Sequence, residues 1–366
     1  MPPFAPEPSY THGQPQRTAV LFCNLGTPDE PTPAAVRRYL AEFLSDPRVV
    51  EIPAIAWKPI LHGIILRTRP ARSAAKYASI WMQGLGSPLM VHTTRQARLL
   101  GERLAEAGHQ GVLVRHAMRY GNPSIASQLD LLKADGATRI LVLPAYPQYS
   151  GTTTASVVDA VNAWAARQRN VPEFRFVQRY HDDPGYIAAL AGRVDAHWHA
   201  YGKGEKLVLS FHGVPARTLE LGDPYHCECH KTARLLAAEL GLHPHEVLVT
   251  FQSRFGRAKW LEPYTQPTIE ALARDGLKRV DVLCPGFTSD CLETLEEIDM
   301  EVRHAFTAAG GETFHYIPAL NDSPTWIGAL AGIAQQHLSG WPTRQAADMR
   351  ALEAQAERAR DMGAQR

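Results

Sequence analysis

The sequence predicts an α/β protein with two similar Rossmann-like, doubly wound domains, each a four-stranded parallel sheet flanked by helices. Three observations lead to this fold class. Short apolar runs rich in β-branched residues recur along the chain, helical patterns separate them, and the length of 366 residues exceeds one ordinary domain. The apolar runs fall into two groups of four, which predicts two halves of the same architecture.

The predicted strands cover residues 19–24, 112–116, 140–143, 175–178, 207–211, 247–251, 280–283 and 314–317. Predicted helices between them cover 123–134, 155–167, 187–201, 231–240, 265–275 and 294–308. Strands that alternate with helices of this length favour βαβ units and parallel sheets.

The predicted domain division has four parts. Residues 18–170 form an N-terminal domain, completed by 321–340, and residues 171–320 form a C-terminal domain. The proline-rich residues 1–17 are expected to be a disordered lead. Residues 341–366, rich in Ala, Arg and Glu, are expected to form a charged helical or frayed tail.

Composition restricts the function classes. Hydrophobic residues make up 45% and charged residues 20% of the chain, as in globular proteins with a sizeable core. The net charge of +1 argues against nucleic acid as a partner. The five cysteines do not form a disulfide framework, which favours a reducing compartment. The N-terminus lacks an apolar signal-peptide core and no run of about 18 apolar residues exists, so we expect a cytoplasmic protein.

Polar and aromatic residues follow nearly every predicted strand. Ligands of doubly wound folds bind beyond the carboxyl ends of the strands, so these exits are expected to line one cleft between the two halves. The exits are residues 24–26 (NLG), 119–120 (RY), 146–149 (YPQY), 212–213 (HG), 252–254 (QSR) and 288–290 (TSD).

His212 stands directly at the end of a predicted strand, before a glycine and close to a proline. An imidazole in such a position can accept a proton near neutral pH or bind a divalent first-row metal. The competing interpretation is a hydrogen-bonded structural histidine, the commoner role for the 16 histidines of a chain like this one. The strand-exit position makes His212 a candidate for chemistry.

An acidic segment follows the predicted strand at 280–283. Asp290, Glu293, Glu297 and Glu301 are spaced i, i+3, i+7 and i+11, so an α-helix would stack their carboxylates on one face. Such a column could relay protons or guide a cation, whereas the plainer alternative is a solvated acidic face. Asp290 is also expected to be the N-cap of this helix.

Two histidines flank a Cys-x-Cys pair in residues 226–230 (HCECH). A structural zinc or iron–sulfur centre needs four ligands, and no second cysteine pair stands at a suitable spacing, so no obligatory metal is expected there.

The sequence also lacks a phosphate-binding loop, a three-glycine dinucleotide motif and a G-x-S-x-G elbow. Nucleotide binding and acyl transfer are therefore not indicated.

Residues 52–72 combine an apolar set with a basic cluster that includes Lys58, Arg67, Arg69 and Arg72. This combination suits a flat apolar ligand with carboxylates, or peripheral contact with an anionic membrane surface. A core helix with a solvated basic end is the alternative.

Taken together and in order, the motifs closely resemble those of the ferrochelatase family over residues 18–340. The matching segments are 24–28 (NLGTP), 146–150 (YPQYS) with 152–154 (TTT), 210–215 (SFHGVP) with 222–225 (GDPY), 252–254 (QSR), 260–261 (WL) and 287–295 (FTSDCLETL). The resemblance implies a chelatase-like fold and the insertion of Fe²⁺ into protoporphyrin IX, with release of two pyrrole protons, as the last step of haem formation.

The resemblance also implies roles for individual residues. His212 and Glu293 are expected to face each other across the porphyrin pocket as the catalytic pair and as transient iron ligands. Asp290, Glu297 and Glu301 are expected to relay protons or metal. The implied pocket or propionate contacts are Leu25, Arg69, Arg72, Tyr77, Arg119, Tyr120, Tyr146 and Trp260.

We expect porphyrin and ferrous iron as substrates and no tightly bound cofactor. Some family members hold a [2Fe–2S] cluster through cysteines, often in a C-terminal extension. Here no cysteine follows Cys291 and Gly151 follows Ser150, so no such cluster is expected. The alternatives are a coproporphyrin III ferrochelatase and a non-catalytic haem or metal carrier. We expect a cytoplasmic location, and residues 52–72 suit peripheral contact with the inner face of the membrane.

Overall fold

A computed structural model describes residues 4–256, 258–344 and 348–365. These residues form two sheets of four parallel strands, in the orders β2-β1-β3-β4 and β6-β5-β7-β8. The strands are β1 Arg17–Gly26, β2 Leu113–Tyr120, β3 Ala137–Pro144, β4 Glu173–Phe176, β5 Lys206–His212, β6 Val247–Gln252, β7 Arg279–Leu283 and β8 Thr313–Ile317. The predicted fold class is confirmed.

Helices cover both faces of the two sheets, which is why the central strands are apolar at almost every position. The α-helices are α1 Pro33–Phe43, α2 Ala54–Ile60, α3 Leu66–Ile80, α4 Pro88–Glu106, α5 Ile125–Ala134, α6 Thr154–Ala165, α7 Pro184–Tyr201, α8 Ala216–Glu220, α9 Tyr225–Glu239, α10 Thr265–Arg274, α11 Arg303–Ala308, α12 Pro324–Leu338 and α13 Met349–Asp361. Two π-helical segments, Leu61–Ile65 and Glu293–Val302, precede α3 and α11.

One apolar core extends through both halves. It includes Phe22 of β1, Phe211 of β5 and Trp326 of α12, all of them fully buried. Helix α12 contacts α4, α7 and β3, so the chain returns to the N-terminal sheet after completing the C-terminal one. This shared core fixes the two sheets relative to each other.

The predicted domain boundary at residue 170 is wrong by one strand. Strand β4 pairs in parallel with β3, with Arg139 opposite Glu173, so β4 belongs to the N-terminal sheet. The boundary between the two sheets therefore lies after Phe176. An apolar run at the edge of a domain carries no local information about which sheet it joins.

The structure also differs from the predicted disorder at the N-terminus. Residues 5–16 have no helix or strand, but the Ala5 N–H donates to the Arg167 carbonyl at 2.8 Å, and the Glu7 carboxylate accepts from the Arg169 N–H at 2.8 Å. A Cβ on Gly13 would lie 2.7 Å from the Leu352 carbonyl oxygen, which places α13 directly against this segment. The lead and the tail thus pack together on the N-terminal domain.

The acidic segment is helical, as predicted, but with a different geometry. Residues Glu293–Val302 form a π-helix, and only Arg303–Ala308 continues as an α-helix. A π-helix closes i→i+5 hydrogen bonds, and its wider turn keeps residues four apart, here Glu293, Glu297 and Glu301, near one face, while Asp290 lies before the helix begins. No helix among the described residues is long and apolar enough to cross a bilayer.

Candidate active site

A largely apolar cavity of about 980 Å³ lies between the carboxyl ends of the two sheets, open to solvent on one side. This volume includes the open solvent at the mouth of the cavity. The lining residues are Asn24, Leu25, Phe43, Val49, Leu89, Ala145, Tyr146, Gln148, Thr152, Thr153, His212, Gly213, Val214, Pro215, Tyr225, Trp260, Gly286, Phe287, Thr288, Ser289, Cys291 and Glu293. Both halves contribute, as the strand exits predict.

His212 is the last residue of β5 and reaches the cavity from the C-terminal domain. Its Nδ1 lies 2.7 Å from the carbonyl oxygen of Gly213. A carbonyl oxygen can only accept a hydrogen bond, so Nδ1 carries the proton and the neutral ring has its lone pair on Nε2. The histidine therefore offers a base or a metal ligand.

Gly213 lets two strands approach each other closely beside this histidine. A Cβ on Gly213 would lie 2.7 Å from the carbonyl oxygen of Gln252 and 3.2 Å from the Trp260 ring. The Gly213 N–H donates to that same carbonyl at 2.7 Å. Only glycine fits this contact, which holds His212 and Trp260 at the same end of the cavity.

Glu293 is the first residue of the π-helix and lines the same cavity as His212. The Gln252 side-chain amide donates to the Glu293 backbone carbonyl at 2.8 Å. One turn further on, the Glu297 carboxylate accepts from the Ser253 N–H at 2.7 Å and from the Ser253 hydroxyl at 2.5 Å. Ser253 has a φ of 64°, in the left-handed region, and this strained backbone aims its N–H at the carboxylate.

The electrostatics place His212, Glu293 and Glu297 in one group. Burial raises the pKa of Glu297 and the nearby Glu293 raises it further, while hydrogen bonds from Ser253 and the charge of His212 lower it. The net pKa is higher than that of an ordinary carboxyl. A carboxyl in this setting can gain or lose a proton nearer neutral pH than one in water.

Asp290 and Glu301 do not join this group. The Asp290 carboxylate accepts hydrogen bonds from Tyr316 at 2.5 Å, Asn321 at 2.6 Å and Thr294 at 3.2 Å. It does not cap the helix as predicted, because these partners occupy both of its oxygens. Glu301 pairs with Lys76 of α3 at 2.8 Å. Asp290 thus stands apart from the predicted acidic column, and Lys76 engages Glu301, whereas the role of these carboxylates as a relay stays a prediction.

Three of the predicted substrate contacts line the cavity: Leu25, Tyr146 and Trp260. The Tyr146 hydroxyl and the Trp260 indole N–H are buried without a hydrogen-bond partner among the described residues. A buried donor without a partner is costly, so these two groups stand out among the residues of the cavity wall.

Arg119 and Tyr120, also predicted as substrate contacts, lie outside the cavity lining and serve a buried acid instead. The Asp46 carboxylate accepts from Arg119 at 2.6 Å, from the Tyr120 hydroxyl at 2.8 Å and from the Ser156 hydroxyl at 2.6 Å. The sequence correctly predicted that both residues lie at a strand exit. It could not reveal that both donate hydrogen bonds to Asp46, which is more than 70 residues away in the chain.

Tyr77, Arg69 and Arg72 of α3 are also outside the described lining. Tyr77 is buried next to the cavity wall, where burial and then the nearby Glu293 raise its pKa. The Arg69 guanidinium lies 4.3 Å from the centre of the Phe255 ring. Burial lowers the pKa of Arg69, and the neighbouring charge of Arg72 lowers it further. The two arginines thus form a basic cluster on α3 rather than part of the cavity wall.

Several cavity residues have no motif that would reveal them. Phe43 ends α1, Val49 lies in the loop that follows, and Leu89 begins α4. They are ordinary apolar residues of helices and loops, so only the packing of α1 and α4 around β1 brings them to the cavity. His226 and His230, by contrast, lie one turn apart on α9 with ring centres 4.5 Å apart, outside the cavity lining.

Two facing parallel sheets with a histidine and a carboxylate in the apolar cleft between them define a protein of the two-domain chelatase type. SirB from Bacillus subtilis, solved with Fe³⁺, has this fold: the TM-score is 0.53 at 14% identity, over 88% of this chain and 96% of that one. A family model described as Ferrochelatase matches residues 17–338. The chain belongs to the ferrochelatase family.

Relatives named Ferrochelatase match along the whole chain. The protein from Methylibium petroleiphilum is 69% identical over 361 residues, which cover 99% of each chain. The protein from Polaromonas sp. is 68% identical over 367 residues, which cover 99% of this chain and 100% of that one.

We predict that Asp46→Ala destabilises the fold by about 3 kcal/mol, because it leaves the Arg119 guanidinium and the Tyr120 and Ser156 hydroxyls without their acceptor. Chemical denaturation measures this change. Asp159→Ala is the matched control: it removes an exposed ion pair with Arg48 and should cost less than about 1 kcal/mol. Equal effects of the two substitutions would contradict the structural role of Asp46.

Proposed function

We propose that this chain inserts Fe²⁺ into protoporphyrin IX to form protohaem, as a ferrochelatase in haem biosynthesis. The observation that carries the proposal is that His212, with its lone pair on Nε2, and Glu293 line one apolar cavity built from both sheets. Porphyrin is flat and apolar, and its metallation needs a proton acceptor and a path for a cation. Family membership supports the same reaction.

In the proposed mechanism the cavity favours a bent macrocycle, whose nitrogen lone pairs are exposed to the incoming iron. Stronger binding of that form than of the flat substrate lowers the barrier. His212 accepts the two pyrrole protons in turn at Nε2, and the first leaves before the second arrives. Glu293 orients the imidazole or receives the proton, and Glu297, held by Ser253, takes it onward along the π-helix.

His212 and Glu293 are also the proposed transient ligands of the Fe²⁺ substrate. Imidazole and carboxylate are both acceptable ligands for this ion. A two-residue site holds the metal weakly, which suits a metal that must leave for the porphyrin. Tyr146 and Trp260 supply the unpaired donors that bind polar edges of the macrocycle.

We further propose that the reaction uses no tightly bound cofactor and no [2Fe–2S] cluster. The support is the cysteine distribution of the sequence, in which no cysteine follows Cys291 and Gly151 follows Ser150. Metal and acid-labile sulfide analysis of the purified protein tests this proposal: about two irons with matching sulfide per chain would contradict it.

We predict that His212→Ala lowers turnover at least about a hundredfold, because it removes the proton acceptor, while the apolar cavity still binds porphyrin. Anaerobic incubation with Fe²⁺ and protoporphyrin IX, followed through the porphyrin absorption bands, measures turnover; porphyrin fluorescence measures binding. His226→Ala, outside the cavity lining, is the matched control.

Retained turnover in His212→Ala would contradict the proposal, and an absence of turnover in the unmodified protein would favour a non-catalytic carrier.

The same assay with coproporphyrin III tests the choice of substrate. The apolar lip formed by residues 55–66 favours protoporphyrin IX, so a faster reaction with coproporphyrin III would overturn that choice.

The raised pKa of Glu297 predicts a pH dependence. Glu297 must be ionised to accept a proton, so kcat/KM should fall as pH decreases through a pKa above the ordinary carboxyl value of 4.5. Glu297→Gln cannot ionise and should lose this acid limb. Glu301→Gln, whose parent carboxylate pairs with Lys76, should keep it. The same limb in Glu297→Gln would show that another group titrates.

We also propose that the protein is cytoplasmic and contacts the inner face of the membrane peripherally through residues 52–72. The apolar residues of α2 and of the following π-helix, Leu61–Ile65, form one buried set and one exposed set. Trp57 and Leu61 pack into the core, whereas Ile55 is 88% and Ile64 59% exposed. Exposed isoleucines beside Lys58 and Arg67 match the apolar and anionic parts of a membrane surface.

We predict that a double substitution, Ile55→Glu with Ile64→Glu, weakens sedimentation with vesicles that contain phosphatidylserine, because it replaces apolar insertion with charge repulsion. Val171→Glu, at an exposed valine on the N-terminal domain, is the control. Equal sedimentation of the double variant and the unmodified chain would rule out this surface as the contact.

A further inference from the structure

A buried charge in the C-terminal sheet stands apart from the cavity and from the proposed mechanism. Asp281, the middle residue of β7, is fully buried, and His315 is its register partner on β8. His197 of α7 packs against His315, and the centres of the two rings are 5.0 Å apart. None of the three lines the cavity.

The Asp281 carboxylate is held at one oxygen and free at the other. Its Oδ2 accepts from the Trp198 indole N–H at 2.7 Å and from the Gly204 N–H at 2.7 Å. Its Oδ1 has no hydrogen-bond partner among the described residues, and it lies 3.5 Å from Nδ1 of His315. A carboxylate oriented at one oxygen by outer donors is the usual arrangement of a metal ligand.

His197 presents a second unpartnered atom at the same place. Its Nε2 is buried and also lacks a hydrogen-bond partner in the described part of the chain. Burial lowers the pKa of both His197 and His315, which leaves neutral rings with lone pairs. Each of the three residues offers one ligand atom, and these three atoms lie within 4.8 Å of one another.

We propose that His197, Asp281 and His315 form a second metal site, which takes a divalent first-row transition ion such as Zn²⁺. Two imidazoles and one carboxylate are a common donor set for such ions. Bonds of about 2.0–2.1 Å in a tetrahedron place ligand atoms roughly 3.4 Å apart. Small rotations of the imidazole rings close the remaining distance, and a water completes the coordination.

Arg279 competes with the metal for this site. Its guanidinium lies 3.2 Å from Nδ1 of His315 and donates to the carbonyl oxygens of Tyr201 and Gly202. Its Nε remains 4.0 Å from Asp281 Oδ1, too far for a hydrogen bond. The side chain is partly exposed, and in the proposed site the metal ion displaces it from His315. The positively charged Arg279 side chain thus competes with the metal ion for the same ligands.

The site lies between α7 and two strands, so a bound ion would tie the helix to the sheet. Tyr201 flanks it with a ring centre 4.8 Å from that of His197, and this tyrosine is 63% exposed, which gives the ion a path from solvent. The metal would therefore stabilise the C-terminal domain rather than take part in the reaction.

Equilibrium titration of the chelator-treated full chain with Zn²⁺, against a chromophoric chelator, tests the site. His197→Gln and His315→Gln should each weaken one zinc equivalent more than about tenfold. Arg279→Gln should tighten the same equivalent several-fold, because it removes the competing charge. Zinc should also raise the melting temperature of the unmodified chain and not that of the two histidine variants.

His212→Ala and the double variant His226→Ala with His230→Ala are controls for zinc at the cavity and on α9, and both should keep the tight equivalent. Identical zinc binding by all variants, or weaker binding by Arg279→Gln, would overturn the proposal and leave a hydrogen-bonded cluster with water between its members. The measurement needs no turnover, so its result is independent of the proposed reaction.

Discussion

The side chain of Gln252 joins the two groups on which the site depends. In the sheet, Gln252 is the register partner of His212. Its amide nitrogen donates to the backbone carbonyl of Glu293, and its amide oxygen accepts from Ser210 at 2.8 Å. Because Gln252 is buried, these bonds exchange little with water and hold the π-helix at a fixed distance from the end of β5. The histidine and the carboxylate therefore reach the cavity as one rigid pair.

The π-helix is part of the same arrangement. The wider turn of the π-helix changes which donors its backbone carbonyls meet. The carbonyl of Glu293 accepts a hydrogen bond from the Gln252 side chain. The next acid, Glu297, is anchored by the strained Ser253 that follows Gln252. Strain of this kind persists only where the surroundings determine it, and here it positions a carboxyl whose pKa burial has raised.

Acids that look alike in the sequence have different fates in the fold. Asp46 and Asp290 are saturated by hydrogen-bond donors and act as structural centres, one for each half of the molecule. Asp281 is satisfied at one oxygen only. The partners that surround each carboxylate after folding, rather than its spacing along the chain, decide its place in the structure.

The sequence by itself determined the strands, several of the helices and the cleft at the strand exits, because these follow from local periodicity. Its ordered motifs also resemble those of the ferrochelatase family, and that resemblance implied the pair His212 and Glu293. Only the tertiary structure decided that β4 joins the first sheet, that the lead packs on α13, and that Arg119 and Tyr120 serve Asp46. Each of those outcomes rests on hydrogen bonds or packing between residues far apart in the chain. Local patterns carry no record of such partners, because the free energy of a buried polar group depends on what surrounds it after folding.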